Sequence, residues 1–157
     1  MPSMDRPNSC IFCRIAERKA PASFVYEDDA ICAFLDIQPV TEGHVLVVPK
    51  CHAESLLDLP METAKHMMEV AYQVIDGLRD SSILCEGVNL FLADGDVAGQ
   101  EVPHVHLHVI PRTRGDGFGL HLPAAYGRQP PREDLDRTAQ SLRDGLLRVQ
   151  PSTDSNG

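Results

Sequence analysis

The chain has 157 residues, of which 43% are hydrophobic and 24% charged, so it is typical of a globular protein with one hydrophobic core. Its formal net charge of −9 argues against a general affinity for nucleic acids or anionic membranes, and an anionic ligand would need local dipoles. No apolar run is long enough to span a membrane, and the N-terminus does not have the pattern of a signal peptide. The five unevenly spaced cysteines favour a reducing, cytoplasmic compartment.

The N-terminal part of the chain contains a predicted short helix that carries two cysteines. An apolar stripe predicts this helix over residues 10–18, with Ser9 as its N-cap. Cys10 and Cys13 have the CxxC spacing, which is typical of zinc binding or redox chemistry and also fits two thiols that only pack in the core. A thioredoxin-type redox motif is disfavoured because no βαβ pattern surrounds the pair. The stripe consists of Ile11, Phe12 and Ile15.

Five short segments have the composition of β-strands. The predicted strands are residues 24–26, 31–35, 44–48, 87–92 and the segment between residues 99 and 111. The longest predicted helix covers residues 62–78, and a last helix opens after Pro130-Pro131 with a seam of Leu135, Ala139, Leu142 and Leu146. The order hairpin, strand, helix, hairpin predicts an α+β fold in which helices pack on an antiparallel sheet.

The chain is predicted to form a single domain over residues 10–150, including the C-terminal helix. We expect residues 1–9 to form a flexible arm and residues 151–157 a disordered tail.

Three histidines alternate with aliphatic residues between Gly99 and Pro111. Because successive side chains of a strand point to opposite faces, His104, His106 and His108 are predicted to lie on one face. Positions i, i+2 and i+4 of a strand span about 13 Å, so all three cannot bind one metal ion on a straight strand. Neutral imidazole is nucleophilic near pH 7, and the preceding glycine-containing loop can aim N–H groups at an anion. The pattern therefore favours chemistry on a phosphate.

The motif GQxV followed by HxHxH resembles that of the histidine-triad (HIT) family, in particular the bacterial Hint-type branch with an N-terminal CxxC. The resemblance covers about residues 10–111 and implies a five-stranded antiparallel sheet with two main helices, joined to a second sheet across a homodimer. It implies purine nucleotides such as AMP derivatives as substrates, hydrolysed or transferred at the α-phosphate through a nucleotidyl-histidine intermediate. Adenylate phosphoramidates and dinucleoside polyphosphates both fit, and the sequence does not separate them. The other matching positions are Asp36-Ile37, Gly43-His44 and Pro49-Lys50.

The resemblance also implies roles for individual residues. His106 would be the nucleophile, His44 and His108 would flank the α-phosphate, and Asp36 would bind the ribose hydroxyls. The base would be walled by Ile11, Phe12, Ile15, Phe34 and Ile37. The backbone of Gly99, Gln100 and Glu101 would hold phosphate oxygens.

A zinc site follows from the same resemblance. Its ligands would be Cys10, Cys13, His52 and His104, and four such ligands close a tetrahedral site, which indicates a structural rather than a catalytic ion. The remaining cysteines, Cys32, Cys51 and Cys85, are predicted to pack in the interior.

Two positions depart from the family pattern. Ala93 replaces the usual Asn or Gln before the loop glycine, and Glu101 replaces the usual Ser or Thr after Gly-Gln. We expect the Glu101 carboxylate to point away from the bound anion, toward Arg112 or Arg114. Two alternatives to the hydrolase are a nucleotide-binding regulatory or scaffold protein with weak catalysis and a zinc-dependent hydrolase, which would need an open metal site.

Overall fold

The computed structural model describes residues 9–149, so most of the predicted arm and all of the predicted tail lie outside the described residues. The chain divides after Phe118 into two compact units. The first unit holds the sheet and two helices, and the second holds the C-terminal helix. The assignment of residues 10–150 to a single domain stays a prediction.

One five-stranded antiparallel sheet forms the centre of the first unit, in the order β1-β2-β3-β5-β4. The predicted α+β class and the antiparallel sheet are therefore confirmed. The strands are β1 (Phe24–Glu27), β2 (Ile31–Leu35), β3 (Val45–Pro49), β4 (Gly87–Phe91) and β5 (Leu107–Arg112).

Residues 9–149 contain three α-helices, as predicted. They are α1 (Ile11–Ala16), α2 (Met61–Asp80) and, in the second unit, α3 (Arg132–Val149). The prediction that Ser9 caps α1 is wrong, because Cys10 takes the N-cap position and makes no side-chain capping bond. Cys10 is itself buried beside His104, and this burial determines where the helix begins. In the described residues, no helix is both long and apolar enough to cross a membrane.

The two faces of the sheet are covered by different helices. On one face, alternate residues such as Ala33 and Val47 pack against Met67, Ala71 and neighbouring residues of α2. On the other face, the intervening residues, such as Phe34 and Val48, pack against Phe12 and Ile15 of α1. This double burial explains why β2 and β3 are continuous apolar runs rather than alternating ones.

Some sequence-based details of the helices were wrong. Helical periodicity over residues 62–78 predicts Met68 on the apolar stripe of α2, but Met68 is 52% exposed, because it faces away from the sheet next to the buried Met67. In the second unit, Leu135, Leu142 and Leu146 of the predicted α3 seam are exposed.

The histidine segment enters the sheet later than predicted. Strand β5 begins at Leu107, so His104 and His106 precede it, whereas Pro111 lies inside it opposite Val88. The reason is that the Val105 N–H donates to the carbonyl of Ala53 at 2.8 Å instead of to a sheet neighbour. The chain therefore bends away from the ladder immediately before the second histidine.

We predict that Gly43→Ala lowers the free energy of unfolding by about 1–3 kcal/mol. Gly43 has φ +86°, and a Cβ there would come within 3.1 Å of side-chain carbons of Leu78 and Ile83. Gly77→Ala is the matched control, because a Cβ at this position inside α2 would meet nothing within 4 Å. It should raise stability by about 0.5–1 kcal/mol. Urea unfolding of both variants tests this prediction. A Gly43→Ala protein with the same free energy of unfolding as the wild type would contradict it.

Candidate active site

The ring of His106 is oriented by a backbone carbonyl. It is 6% exposed, and its Nδ1 lies 2.7 Å from the carbonyl oxygen of His104. Because a carbonyl only accepts hydrogen bonds, Nδ1 carries the proton and donates it there. The lone pair of the neutral ring is consequently on Nε2. The ring of Phe12 stands edge-on against His106, with centroids 5.1 Å apart, and limits rotation from the side of α1.

His44 and His108 form a hydrogen-bonded relay next to His106. The Val40 N–H donates to His44 Nδ1 at 3.1 Å, so the proton of the neutral His44 ring is on Nε2. That Nε2–H donates to His108 Nδ1 at 2.9 Å, so the proton of His108 is on its Nε2. The rings of His106 and His108 are neighbours, with centroids 4.9 Å apart. The site therefore places an imidazole lone pair next to an imidazole N–H donor.

Both histidines of the relay are neutral at physiological pH. Burial and the neighbouring His106 and His44 lower the pKa of His108 to about 4. Burial also lowers the pKa of His44, although the Asp36 carboxylate, 3.7 Å away, opposes this shift. The neutral His108 ring can donate its Nε2–H to a bound anion without contributing formal positive charge, whereas His44 uses its one N–H on His108.

The glycine loop before the histidines is held by the side chain of Gln100. Its Oε1 accepts the Gly95 N–H at 2.7 Å, and its Nε2 donates to the carbonyl of Glu54 at 2.8 Å. The N–H groups of Gly99 and Gln100 donate to carbonyls within the same loop. Of the three predicted phosphate-binding N–H groups, only that of Glu101 has no acceptor within the described chain, so it is the one available to an anion.

The Glu101 side chain is exposed, but it does not pair with either predicted arginine. The Arg112 guanidinium instead makes a two-point contact with Asp116, with both N–O distances at 2.7 Å. This contact holds the pKa of the Asp116 carboxyl well below its usual range. Asp116, rather than Glu101, pairs with Arg112 because it lies four residues away in a tight turn. Its carboxylate also accepts backbone N–H groups in that turn. The prediction of a partner for Glu101 was therefore wrong.

The residues predicted to contact the nucleoside do not all lie in one wall. Phe12, Ile15 and Phe34 belong to one buried cluster, with the two phenyl centroids 5.7 Å apart. Ile11 is exposed at the outer side of α1, and Ile37 is 90% exposed just after β2. Asp36, next to Ile37, accepts the Gln38 N–H through one carboxylate oxygen and approaches His44 through the other.

Two cysteines and two histidines from distant parts of the sequence meet next to the segment that carries His106 and His108. The ligand atoms of these four residues all lie within 4.8 Å of one another. His104 Nε2 donates to the carbonyl of Pro49 at 2.8 Å, which leaves the Nδ1 lone pair directed at the cluster. The set consists of Cys10, Cys13, His52 and His104.

The spacing of this cluster fits a tetrahedral metal site. His104 Nδ1 lies 3.4 Å from Cys10 Sγ, 3.5 Å from Cys13 Sγ and 3.3 Å from His52 Nδ1. Ligand atoms around a tetrahedral zinc ion are roughly 3.3–3.8 Å apart. The outer hydrogen bond from His104 to a carbonyl is also typical of zinc-bound histidine. The donor set therefore fits a closed structural zinc site.

Sequence reasoning missed three groups that shape the site. The Val40 N–H and the Pro49 carbonyl set histidine tautomers, and backbone groups of this kind leave no signal in side-chain patterns. Phe91 is the third, since it pairs with His108 across β4 and β5 and the two ring centroids are 5.7 Å apart. Its aromatic character was visible in the sequence, but its register was not.

Comparison with known proteins identifies the family. The model described as "HIT domain" matches residues 17–115, so the chain belongs to the HIT family. Protein hit of Bacillus subtilis is 43% identical over 135 residues, which cover 85% of this chain and 92% of that protein. The adenosine 5'-monophosphoramidase of Saccharomyces cerevisiae is 33% identical over 144 residues, covering 92% of this chain and 85% of the yeast protein.

Solved structures agree with the fold. A HIT family member from Bacillus subtilis is 38% identical, with a TM-score of 0.79 over 92% of this chain and 99% of that chain. A zinc-bound histidine triad family protein from Mycobacterium smegmatis is 38% identical, with a TM-score of 0.68 over 90% of this chain and 98% of that chain. The predicted membership of the HIT family is thus confirmed.

We predict that His108 makes the fold less stable as the pH falls from about 6.5 to about 4. In this range the unfolded chain binds a proton at His108 that the folded chain excludes, so the free energy of unfolding decreases with falling pH. The loss is at most about 3 kcal/mol. Urea unfolding between pH 7 and pH 4 should show a shallower decline in His108→Gln than in the wild type.

His66→Gln is the control with the opposite sign. The carboxylates of Glu69 and Asp28 raise the pKa of His66, so protonation of His66 stabilises the fold as the pH falls. Because this gain is complete once the pH is below about 6.5, the ordinary pKa of histidine, His66→Gln should leave the decline between pH 6.5 and pH 4 unchanged. Identical pH slopes for the wild type and His108→Gln would contradict the prediction.

Proposed function

We propose that this protein is a nucleotide phosphoramidase that hydrolyses the P–N bond of adenosine 5'-phosphoramidates, with His106 as the nucleophile. The observation that carries the proposal is the hydrogen bond from His106 Nδ1 to the His104 carbonyl, which leaves Nε2 free for attack. The name of the yeast relative, an adenosine 5'-monophosphoramidase, supports this class of substrate.

The reaction has two displacements at phosphorus. In the first, His106 Nε2 forms a bond to the α-phosphorus, and the bond from phosphorus to the leaving nitrogen breaks. The departing nitrogen keeps the electron pair and takes a proton from solvent, leaving as the amine. In the second, water adds to phosphorus, the P–N bond to His106 breaks, and AMP is released while the proton returns to solvent.

The neighbouring groups stabilise the charge on phosphate during both steps. His108 Nε2–H donates a hydrogen bond to a non-bridging oxygen, and His44 keeps that proton on the correct nitrogen. The Glu101 N–H is the second donor. Asp36 would accept from the ribose hydroxyls, and Phe12, Ile15 and Phe34 would support the base, with Ile11 and Ile37 at its edges.

A dinucleoside polyphosphate would present the same α-phosphate, but its leaving group is anionic. Asp94, Asp96 and Glu101 are exposed on or beside the glycine loop, and their carboxylates disfavour additional negative charge there. The loop therefore favours a neutral amine as the leaving group.

We further propose a structural zinc ion on Cys10, Cys13, His52 and His104. Such an ion, when bound, supplies cross-linking rather than reaction chemistry, because the four residues leave no open position. These residues would tie α1 to the segment that carries His106.

We also infer that two chains join their sheets in a homodimer, as the family resemblance implies.

We predict that His106→Ala lowers the turnover of adenosine 5'-phosphoramidate at least a hundredfold and leaves AMP binding within about threefold, because the lone pair that attacks is lost. Release of AMP measured by chromatography and calorimetric titration with AMP test this. His66→Ala, on the α2 side of the sheet, is the control and should retain wild-type turnover. A His106→Ala rate above a tenth of the wild-type rate would exclude this nucleophile. A wild type that binds AMP without turnover would favour the regulatory alternative.

We predict one zinc ion per chain in protein purified without chelators. Cys13→Ser should lower the zinc content several-fold and the melting temperature by roughly 5 °C or more, because metal binding contributes to folding. Cys85→Ser is the control, since Cys85 lies outside the cluster and its Sγ donates to the Gly87 carbonyl at 3.4 Å, a contact that a serine hydroxyl can also make. Elemental analysis and thermal unfolding measure both effects. Zinc-free protein of unchanged stability would refute the site.

A further inference from the structure

Thr41 is a half-buried residue in the connection between β2 and β3, which covers residues 36–44. The tip of this connection also carries the Val40 N–H that donates to His44 Nδ1. The Thr41 hydroxyl donates to the Pro111 carbonyl oxygen at 2.6 Å, across 70 residues of sequence. Pro111 belongs to β5, the strand that carries the second histidine of the relay. This hydrogen bond therefore joins the two parts of the chain that hold the relay.

The Pro111 carbonyl faces the end of β3, where a side chain replaces the usual ladder partner. Within residues 9–149, the β3–β5 ladder ends at the pair of Val45 and Val109. On the other side of β5, the Arg112 carbonyl accepts an N–H from the residue that precedes β4. Carbonyls of consecutive strand residues point to opposite sides of the strand, so that of Pro111 points toward β3. The Thr41 hydroxyl takes the place of a ladder donor there.

The Val40 N–H determines the direction of the histidine relay. While it donates to His44 Nδ1, the His44 Nε2–H donates to His108 Nδ1, and the proton of His108 is on Nε2. We call this the forward direction. Without the Val40 N–H, the same ring-to-ring bond can run in reverse, with the proton of each ring on Nδ1. Both rings stay neutral, but His108 then presents a lone pair on Nε2, which repels a phosphate oxygen.

Two groups favour the forward direction. The Asp36 carboxylate lies 3.7 Å from His44 Nε2 and attracts a proton there. The Val40 N–H is the second, and its position depends on the tip of the connection. Thr41 fixes this tip twice, because its carbonyl accepts the His44 N–H at 3.2 Å and its hydroxyl donates to Pro111.

We propose that Thr41 is a positioning residue, which acts through the tip of the β2–β3 connection and His44 to keep the proton of His108 on Nε2. The inference rests on the proposed function and adds a residue to it. Bond making and breaking are those of the two displacements above, and Thr41 exchanges no proton in them. Its hydroxyl determines whether the phosphate meets a hydrogen-bond donor or a lone pair at His108.

The first test measures the tautomers without catalysis. Correlation spectra of full-length protein with 15N-labelled histidine rings show which ring nitrogen carries the proton at pH 7. The wild type should have the His108 proton on Nε2. Thr41→Val replaces the hydroxyl by a methyl group of similar size and should give a mixture with the Nδ1 tautomer. Full reversal is not expected, because Asp36 still favours the forward direction.

The second test measures binding and turnover. Only the forward relay offers a donor to phosphate, so the apparent affinity falls by the fraction of molecules that keep it. Thr41→Val should weaken AMP binding, measured by calorimetry, by about two- to fivefold. It should lower kcat/KM for adenosine 5'-phosphoramidate by the same factor, with kcat nearly unchanged. Thr41→Ser retains the hydroxyl and should restore the wild-type tautomer, AMP affinity and kcat/KM.

Ser81→Ala is the matched control. The Ser81 hydroxyl also donates to a backbone carbonyl, that of Leu78 at 2.8 Å, but it lies at the end of α2 and away from the histidines. This variant should change neither the tautomers nor kcat/KM. Thr41→Ala removes the hydroxyl without placing a methyl group against the Pro111 carbonyl, and it repeats the comparison should Thr41→Val fail to fold.

The outcomes separate this inference from the catalytic proposal. Unchanged ring tautomers in Thr41→Val would overturn the role of Thr41, as would equal losses in Thr41→Val and Thr41→Ser. Wild-type protein that binds AMP without turnover would refute the proposed phosphoramidase, while the spectra and calorimetry still test Thr41.

Discussion

His104 connects the cysteine–histidine cluster to His106, because its ring belongs to the cluster and its backbone carbonyl orients the His106 ring. The ring of His104 takes part in the cysteine–histidine cluster, while its carbonyl accepts the Nδ1–H of His106 at 2.7 Å. The position of that carbonyl depends on the bend that the Val105 N–H makes toward Ala53 before β5 begins. A shift of the His104 backbone would therefore directly move the hydrogen-bond acceptor of His106, the proposed nucleophile.

The alternating histidine pattern correctly predicted that His106 and His108 lie side by side, although the segment is bent and is not one straight strand. Only His108 lies in β5, yet His106 still stands beside it, with ring centroids 4.9 Å apart. The periodicity of the sequence predicted which side chains share a face. It could not predict where pairing begins, because that depends on the Ala53 carbonyl, more than fifty residues away. The wrong N-cap at Ser9 has a similar origin, since the burial of Cys10 beside His104 sets the start of α1.

Much of the fold was predictable because β2 and β3 are buried on both faces and are therefore nearly pure apolar runs. The candidate site was predictable only where side chains carry a motif. The cluster of Cys10, Cys13, His52 and His104 came from family resemblance, and the structure brings all four together. Backbone donors and acceptors such as Val40 and Pro49 decide which nitrogen of each ring carries the proton, and their contribution depends on three-dimensional register alone.

The proposed phosphate site belongs to a chain of net charge −9 and cannot rely on overall charge for binding. Its imidazoles do not supply a local positive charge either, because burial keeps His44 and His108 neutral at pH 7 through their lowered pKa values. What remains is an arrangement of oriented N–H donors, whose strength does not depend on protonation near neutral pH. The cost is that an anion gains little long-range attraction on approach. Under the proposed function, specificity must then come from contacts made after arrival, at the nucleoside wall around Phe12.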